Sequence, residues 1–226
     1  MIKANIYGID WEIDEDPKKG QLGLLREDHY RPLFDPKNRG TSLCLEDRWL
    51  DIGANIGAFA VRAAPYVDKI IAAEPEPENL FSLQRNINLN NARNIITLAA
   101  AIVGGTESTV PLALSNSFSS THRLGKIRGR KTMEVPALNI NETIHLWGIN
   151  KIKMDCEGTE AEILEAIDFS PIEELIFEYH FSFLHDESWE RFYRILGFIT
   201  DAGFILLKQP SGRSKTWHTI VWAKRL

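Results

Sequence analysis

Asp51-Ile52-Gly53-Ala54-Asn55-Ile56-Gly57 is the stretch on which the reading of this chain turns. It follows an apolar run with Trp49 and Leu50. It precedes Ala58-Phe59-Ala60-Val61-Arg62-Ala63-Ala64, whose small and apolar residues suit a buried helix. A strand, a glycine turn and a helix in succession bring backbone N–H groups and the positive end of a helix against a ligand, and glycines let that ligand come close because they lack a Cβ. A dinucleotide turn wants G-x-G-x-x-G, so that its second glycine admits a pyrophosphate. Here the pattern is G-x-N-x-G behind an aspartate, and no pyrophosphate is called for. An aspartate at the strand's C-terminal end can hold an ammonium, directly or through water, while the turn amides hold a carboxylate. The methionine part of S-adenosylmethionine (SAM) carries both groups. A plain strand-to-helix packing turn would use the same residues, so both readings stand at this point.

A second carboxylate favours the ligand. Val67 to Ala73 reads as the next strand and Glu74 ends it, close to the roughly 20-residue offset at which an acidic residue meets ribose hydroxyls in nucleoside-binding βαβ units. After Pro75-Glu76-Pro77-Glu78, Leu80, Leu83 and Ile87 give a helical face. Ile95 to Val103 is uniformly apolar, which predicts one parallel strand covered on both faces. The alanines near its end, Ala99 to Ala101, leave room for a flat adenine ring or for simple close packing.

Farther along, Ile149 to Met154 reads as a strand that ends in Asp155-Cys156-Glu157-Gly158, and an amphipathic helix follows before Pro171. Ligands gather at the C-terminal ends of strands in open α/β sheets, so Asp155 is expected in one crevice with Asp51 and Glu74. Glu174 to His180 is a further strand, placing Glu178 and His180 at that rim. Asn141 is the expected N-cap of a short helix through Trp147. A helix from Ser188 to Asp201 precedes two strands, Phe204 to Gln209 and Thr216 to Lys224, joined by the turn-rich Pro210-Ser211-Gly212-Arg213. The expected fold is therefore α/β, a doubly wound and mostly parallel seven-stranded sheet with a C-terminal antiparallel hairpin.

Before this core, Ile9, Trp11 and Ile13 alternate with acidic residues, the pattern of a half-buried strand. Residues 1–46 are read as an N-terminal cap whose His29, Tyr30 and Arg31 either pack or touch substrate, and residues 47–226 as the main domain. A Gly-, Ser- and Thr-rich stretch from 104 onward ends in a basic segment, 122–131, holding Arg123, Lys126, Arg128, Arg130 and Lys131. It is either a solvated loop or a lid that attracts an anionic substrate such as a phosphate, a sugar nucleotide or a nucleic-acid backbone.

The 226 residues, 44% hydrophobic and 25% charged, suit one globular domain with some extra elements. A net charge of −5 disfavours a uniformly basic nucleic-acid binder. No apolar run is long enough for a membrane span, and the N-terminus lacks a signal peptide's apolar core, so a cytoplasmic protein is expected. Cys44 and Cys156 have neither C-x-x-C spacing nor a His cluster in sequence, which points to reduced thiols.

Three blocks, Asp51 to Gly57, Ala73-Glu74-Pro75-Glu76-Pro77-Glu78-Asn79, and Ile152-Lys153-Met154-Asp155-Cys156-Glu157-Gly158-Thr159-Glu160, resemble the signature blocks of FkbM-type SAM-dependent methyltransferases. The resemblance covers roughly residues 48–170. It implies the class I, Rossmann-like methyltransferase fold and O-methylation of hydroxyls on sugars or natural products. By the same resemblance Asp51, Gly53 and Gly57 belong to the methionine side of the SAM site and Glu74 to the ribose; Asn55 in the same turn and Pro75 beside Glu74 are counted with the cofactor site, as is Ala101, one of the alanines that leave room for the adenine. Cys156 stands where the family usually has a β-branched residue.

Methyl transfer to a hydroxyl requires alignment and gains from a base. His180 is the candidate by intrinsic pKa, with Asp155 and Glu157 as orienting groups or alternative bases. These three could instead hold a divalent metal that acidifies the hydroxyl. A small-molecule or glycan O-methyltransferase is the first expectation. A nucleic-acid methyltransferase using the basic segment is the second, weakened by the lack of a D/N-P-P-Y/F motif, and a non-catalytic SAM-binding module is the third.

Overall fold

The computed structural model describes residues 2–6, 8–14, 21, 25, 43–115, 122–181, 188–208 and 218–225. His29, Tyr30, Arg31 and the turn from Pro210 to Arg213 lie outside them.

Seven strands form the central sheet: β3 (Arg48–Ile52), β4 (Lys69–Ala73), β5 (Ile95–Leu98), β10 (Lys151–Met154), β11 (Glu174–His180), β12 (Phe204–Lys208) and β13 (His218–Arg225). Their spatial order is β12-β13-β11-β10-β3-β4-β5. The β5 to β11 block is parallel, and β13 runs antiparallel to both β11 and β12. This is the expected doubly wound sheet with its C-terminal hairpin. The order reverses at β3, whose neighbours are β4 and β10, so a crevice opens there beyond the strand ends.

Strand alternation divides the core in two. Leu50, Ile52, Ile152, Met154, Leu175 and Phe177 face α3 (Ile140–Trp147), α4 (Glu160–Ala166) and α5 (Trp189–Asp201). Trp49, Ile70, Ala72 and Ile176 face α1 (Ala60–Ala63) and α2 (Pro77–Leu89). On that second face lies the antiparallel hairpin of β1 (Ile2–Ile6) and β2 (Ile9–Ile13). Trp11 and Ile13 bury their side chains in the same cluster as Trp49 and Leu83. Two asparagines of α2 hold the hairpin by its backbone: Glu12 N donates to Asn86 Oδ1 at 2.9 Å, and Asn90 Nδ2 donates to Asp10 O at 2.7 Å. The alternation at Ile9, Trp11 and Ile13 thus marks a strand packed on α2.

Two polar positions in the central strand β10 have a local explanation. Lys151 Nζ meets Asp47 at 2.9 Å and Glu174 at 3.0 Å, and Lys153 Nζ meets Asp51 at 3.0 Å. Buried charges persist only when paired, and these are.

Two boundaries differ from the expectation. The apolar run from Ile95 to Val103 is two strands, because the chain bends at Ala99-Ala100 and β6 (Ala101–Val103) leaves the main sheet to pair with β9 (Thr132–Asn139). With β7 (Thr109–Ala113) and β8 (Arg123–Leu124) these make a separate four-stranded sheet, ordered β6-β9-β7-β8. The cap of α3 is Asn139, which accepts from Asn141 N and Glu142 N. Asn141 instead ties α3 to the end of α4, donating to Ala166 O at 2.9 Å and accepting from Asp168 N at 2.7 Å. Among the described residues no helix is long and apolar enough to cross a membrane.

Candidate active site

A crevice lies at the β3/β10 switch, beyond the C-terminal ends of the parallel strands. Gly53, Asn55, Glu74, Pro75, Ala101, Asp155 and Glu157 line it together with Asn79 and Cys156. Leu112, His122 and Leu124 reach it from the inserted sheet. Asp51, Gly57 and His180 are not among its walls.

The glycine turn has left-handed backbone at Gly53 (φ 75), Asn55 (φ 50) and Gly57 (φ 95). A Cβ on Gly53 would stand 1.9 Å from Asp155 O, and one on Gly57 would stand 2.8 Å from Leu83 Cδ1. Gly53 is therefore required by the backbone of the turn after β10, while at Gly57, where a Cβ would meet only the side-chain ends of Leu83 and Val61, the left-handed φ is the stronger constraint. Of the two readings open from the sequence, the packing turn accounts for Gly53 without a ligand.

Asp51 also sits differently from its expected place. It is fully buried on the α1 side of the sheet with Lys153, and burial raises its carboxyl against the pull of that ammonium. The cation that Asp51 meets is the chain's own. At the crevice itself, Glu74 Oε2 accepts from Asn55 N at 2.8 Å and Oε1 from Glu76 N at 3.0 Å. Burial pushes this carboxyl up to about 7 despite those amides.

After β10, Asp155 and Glu157 face the crevice, and Glu157 takes a left-handed conformation at φ 58. Such backbone in a non-glycine residue costs energy and is held by its surroundings. The holding group is Glu160. Its carboxylate accepts from Cys156 N at 3.1 Å and Gly158 N at 3.0 Å, and meets His180 Nδ1 at 3.1 Å. Burial pushes Glu157 up to about 7, with His180 and Arg123 opposing and Asp155 reinforcing. Burial of Asp155 raises its carboxyl too.

His180 is surrounded by acid. Burial works against its charge, but Glu160, Glu157 and Asp155 outweigh it and raise the imidazole to about 10. A histidine that holds its proton at neutral pH cannot accept one, so His180 stands as a buried cation behind Glu157 rather than as the free base expected from its intrinsic pKa.

Three residues act at the site beyond those expected to line it: Glu160, Lys153 and Arg123. Glu160 ends the third block without any local pattern marking it as the brace of the 155–158 turn. Lys153 was legible only as a polar residue in a strand. Arg123, first of the basic segment, brings its guanidinium to 3.7 Å from Glu157 Oε2. Beside it His122 Nδ1 accepts from Ser115 N at 2.9 Å, and burial lowers its pKa. The start of the basic segment is thus a strand at the mouth of the crevice.

A family model described as the Methyltransferase FkbM domain matches residues 51–206. Comparison with curated proteins returns no match. Among solved structures, Trm5b from Pyrococcus abyssi is 14% identical with a TM-score of 0.51, covering 96% of this chain and 53% of that one. The M. jannaschii tRNA m1G37 methyltransferase is 13% identical with a TM-score of 0.50, covering 99% and 56%. Those likenesses carry the fold, the class I Rossmann-like methyltransferase architecture. The family match spans most of the chain and includes all three of its blocks, with SAM as the methyl donor: the chain belongs to the FkbM family of SAM-dependent methyltransferases.

Proposed function

We propose that this methyltransferase acts on a hydroxyl of a sugar or small natural-product-like acceptor, with Glu157 as the base. SAM supplies a methyl group on a sulfonium, activated for in-line displacement. In the crevice Glu74 would take the ribose hydroxyls, and Pro75 and Ala101 would border the adenine. Gly53 and Asn55 would flank the methionine end, whose ammonium would meet Asp155, because Asp51 already has Lys153. A Glu157 carboxylate oxygen would take the proton that the acceptor hydroxyl gives up on methylation.

The observation that carries this reading is a crevice carboxyl raised to about 7, on a strained residue braced by Glu160. A base works best when its pKa lies near the operating pH. Arg123 and the imidazolium of His180 favour the anionic form of Glu157.

A nucleic-acid acceptor is the second reading, favoured by the basic segment that begins at Arg123 on the crevice mouth. A labelled-methyl screen against sugars, small hydroxylated compounds, peptides, RNA and DNA tests both. Transfer to a sugar or small hydroxyl compound supports the first. Transfer confined to RNA or DNA, weakening steeply with salt, replaces it by the second.

A further inference from the structure

Behind Glu157, outside the crevice, a second histidine joins the acidic corner. His180 and His218 stand opposite each other on the antiparallel pair β11–β13, with ring centroids 5.9 Å apart and planes inclined by 15°. Glu178 lies two residues before His180 and therefore on the same face of the strand. Its Oε1 contacts His218 Nδ1 and lies 3.7 Å from His180 Nε2. One ligand atom from each of Glu178, His180 and His218 lies within 4.8 Å of the other two.

The orientation of His180 is the second observation. Glu160 Oε1 takes Nδ1 at 3.1 Å, which turns Nε2 into the corner, where it meets Glu157 Oε2 at 3.6 Å and Glu178 Oε1 at 3.7 Å. Both separations exceed a hydrogen bond, although the residue is only 8% exposed. The separation from Glu178 is near the roughly 3.3–3.6 Å between two ligands of one tetrahedral ion with bonds of about 2.0–2.2 Å. A carboxylate on the far nitrogen is also how metal-binding histidines are commonly held, fixing the tautomer that leaves the other nitrogen as ligand.

We propose that Glu178, His180 and His218 bind a divalent ion of the zinc class through one carboxylate oxygen and two imidazole nitrogens. Two imidazoles select Zn²⁺ or Co²⁺ over Mg²⁺ and Ca²⁺, which prefer oxygen. None of the three lines the crevice, and His218 is exposed enough to admit the ion. The ion takes the place of a proton on His180 and offsets the crowding of Asp155, Glu157, Glu160 and Glu178. This site stands independently of the acceptor; toward Glu157 the bound ion supplies the positive charge that the imidazolium of His180 supplies without it.

The test is isothermal titration of the full chain with ZnCl₂, together with the visible spectrum of its Co²⁺ form. One equivalent of Zn²⁺ is expected to bind, and Co²⁺ to give d–d bands of a low-coordinate N/O site. His218→Ala and Glu178→Gln are each expected to weaken Zn²⁺ on the order of tenfold or more, with unchanged circular dichroism and unchanged SAM binding in a separate titration. Asp155→Asn is expected to keep the ion. Absence of stoichiometric binding overturns the proposal. So does binding that survives His218→Ala but is lost in Asp155→Asn, which would move the ion to the crevice trio of Asp155, Glu157 and His180.

Discussion

At the scale of single residues, environment sets what each acidic group can do. Glu157 shares its turn with Asp155 and Glu160, yet only Glu157 combines a crevice position, left-handed backbone and a carboxyl raised to about 7. Glu157→Gln keeps the shape and removes the base, so kcat is expected to fall by about 10²–10⁴-fold. The rise of kcat/KM with pH through about 7 should vanish with it, while SAM affinity measured by calorimetry stays. Gly53 is a contrasting case, since its constraint is protein against protein. Gly53→Ala places a Cβ 1.9 Å from Asp155 O on backbone at φ 75. A loss of at least about 1–3 kcal/mol is expected, read as a shifted midpoint in urea unfolding.

At the scale of elements, α2 connects the nucleoside crevice to the N-terminal hairpin. Asn86 is fully buried; its Nδ2 donates to Ile56 O in the glycine turn at 3.0 Å, and its Oδ1 accepts from Glu12 N in β2 at 2.9 Å. Asn86→Leu leaves both backbone groups without that partner, and about 1–3 kcal/mol per unsatisfied group is the expected cost. Hydrogen exchange at the Glu12 amide should accelerate well before that of β10 or β11. The inserted sheet shows how an element can escape a local reading. Ile95 to Val103 carries no turn signal, and Ala99-Ala100 bend only because β6 finds β9 more than thirty residues later. What reads as a loop with a basic end contains β7 and β8, which bring Leu112 and Leu124, with His122 beside it, to the crevice, while residues 125–131 of the basic end are loop.

Across the whole molecule the buried ionisable groups set the pH dependence of stability. Glu74 and Glu157 are raised from 4.5 to about 7, and His180 from 6.5 to about 10. In every case the folded state holds a proton that the unfolded chain has already released. Stability is then greatest below the unfolded values and falls as pH rises through the folded ones. The two glutamates act between 4.5 and about 7, and the histidine between 6.5 and about 10. Each group contributes a slope of up to about 1.4 kcal/mol per pH unit within its window. Urea midpoints measured from pH 5 to 10 should decline, and Glu157→Gln should remove part of the decline below neutrality.

The sequence by itself determined the order of strand, glycine turn and helix, the parallel core with its closing antiparallel strands, and the three blocks that identify the family. These are legible because apolar periodicity, turn residues and block spacing act over a few neighbouring positions. Tertiary structure alone decided that Asp51 is matched to Lys153, that Glu160 braces the turn of Glu157, that Arg123 arrives at the crevice, and that His180 is a cation among carboxylates. Each of those outcomes depends on side chains from separate elements meeting in a low-dielectric interior. Their burial and pairing energies belong to the packed sheet and have no counterpart in local sequence.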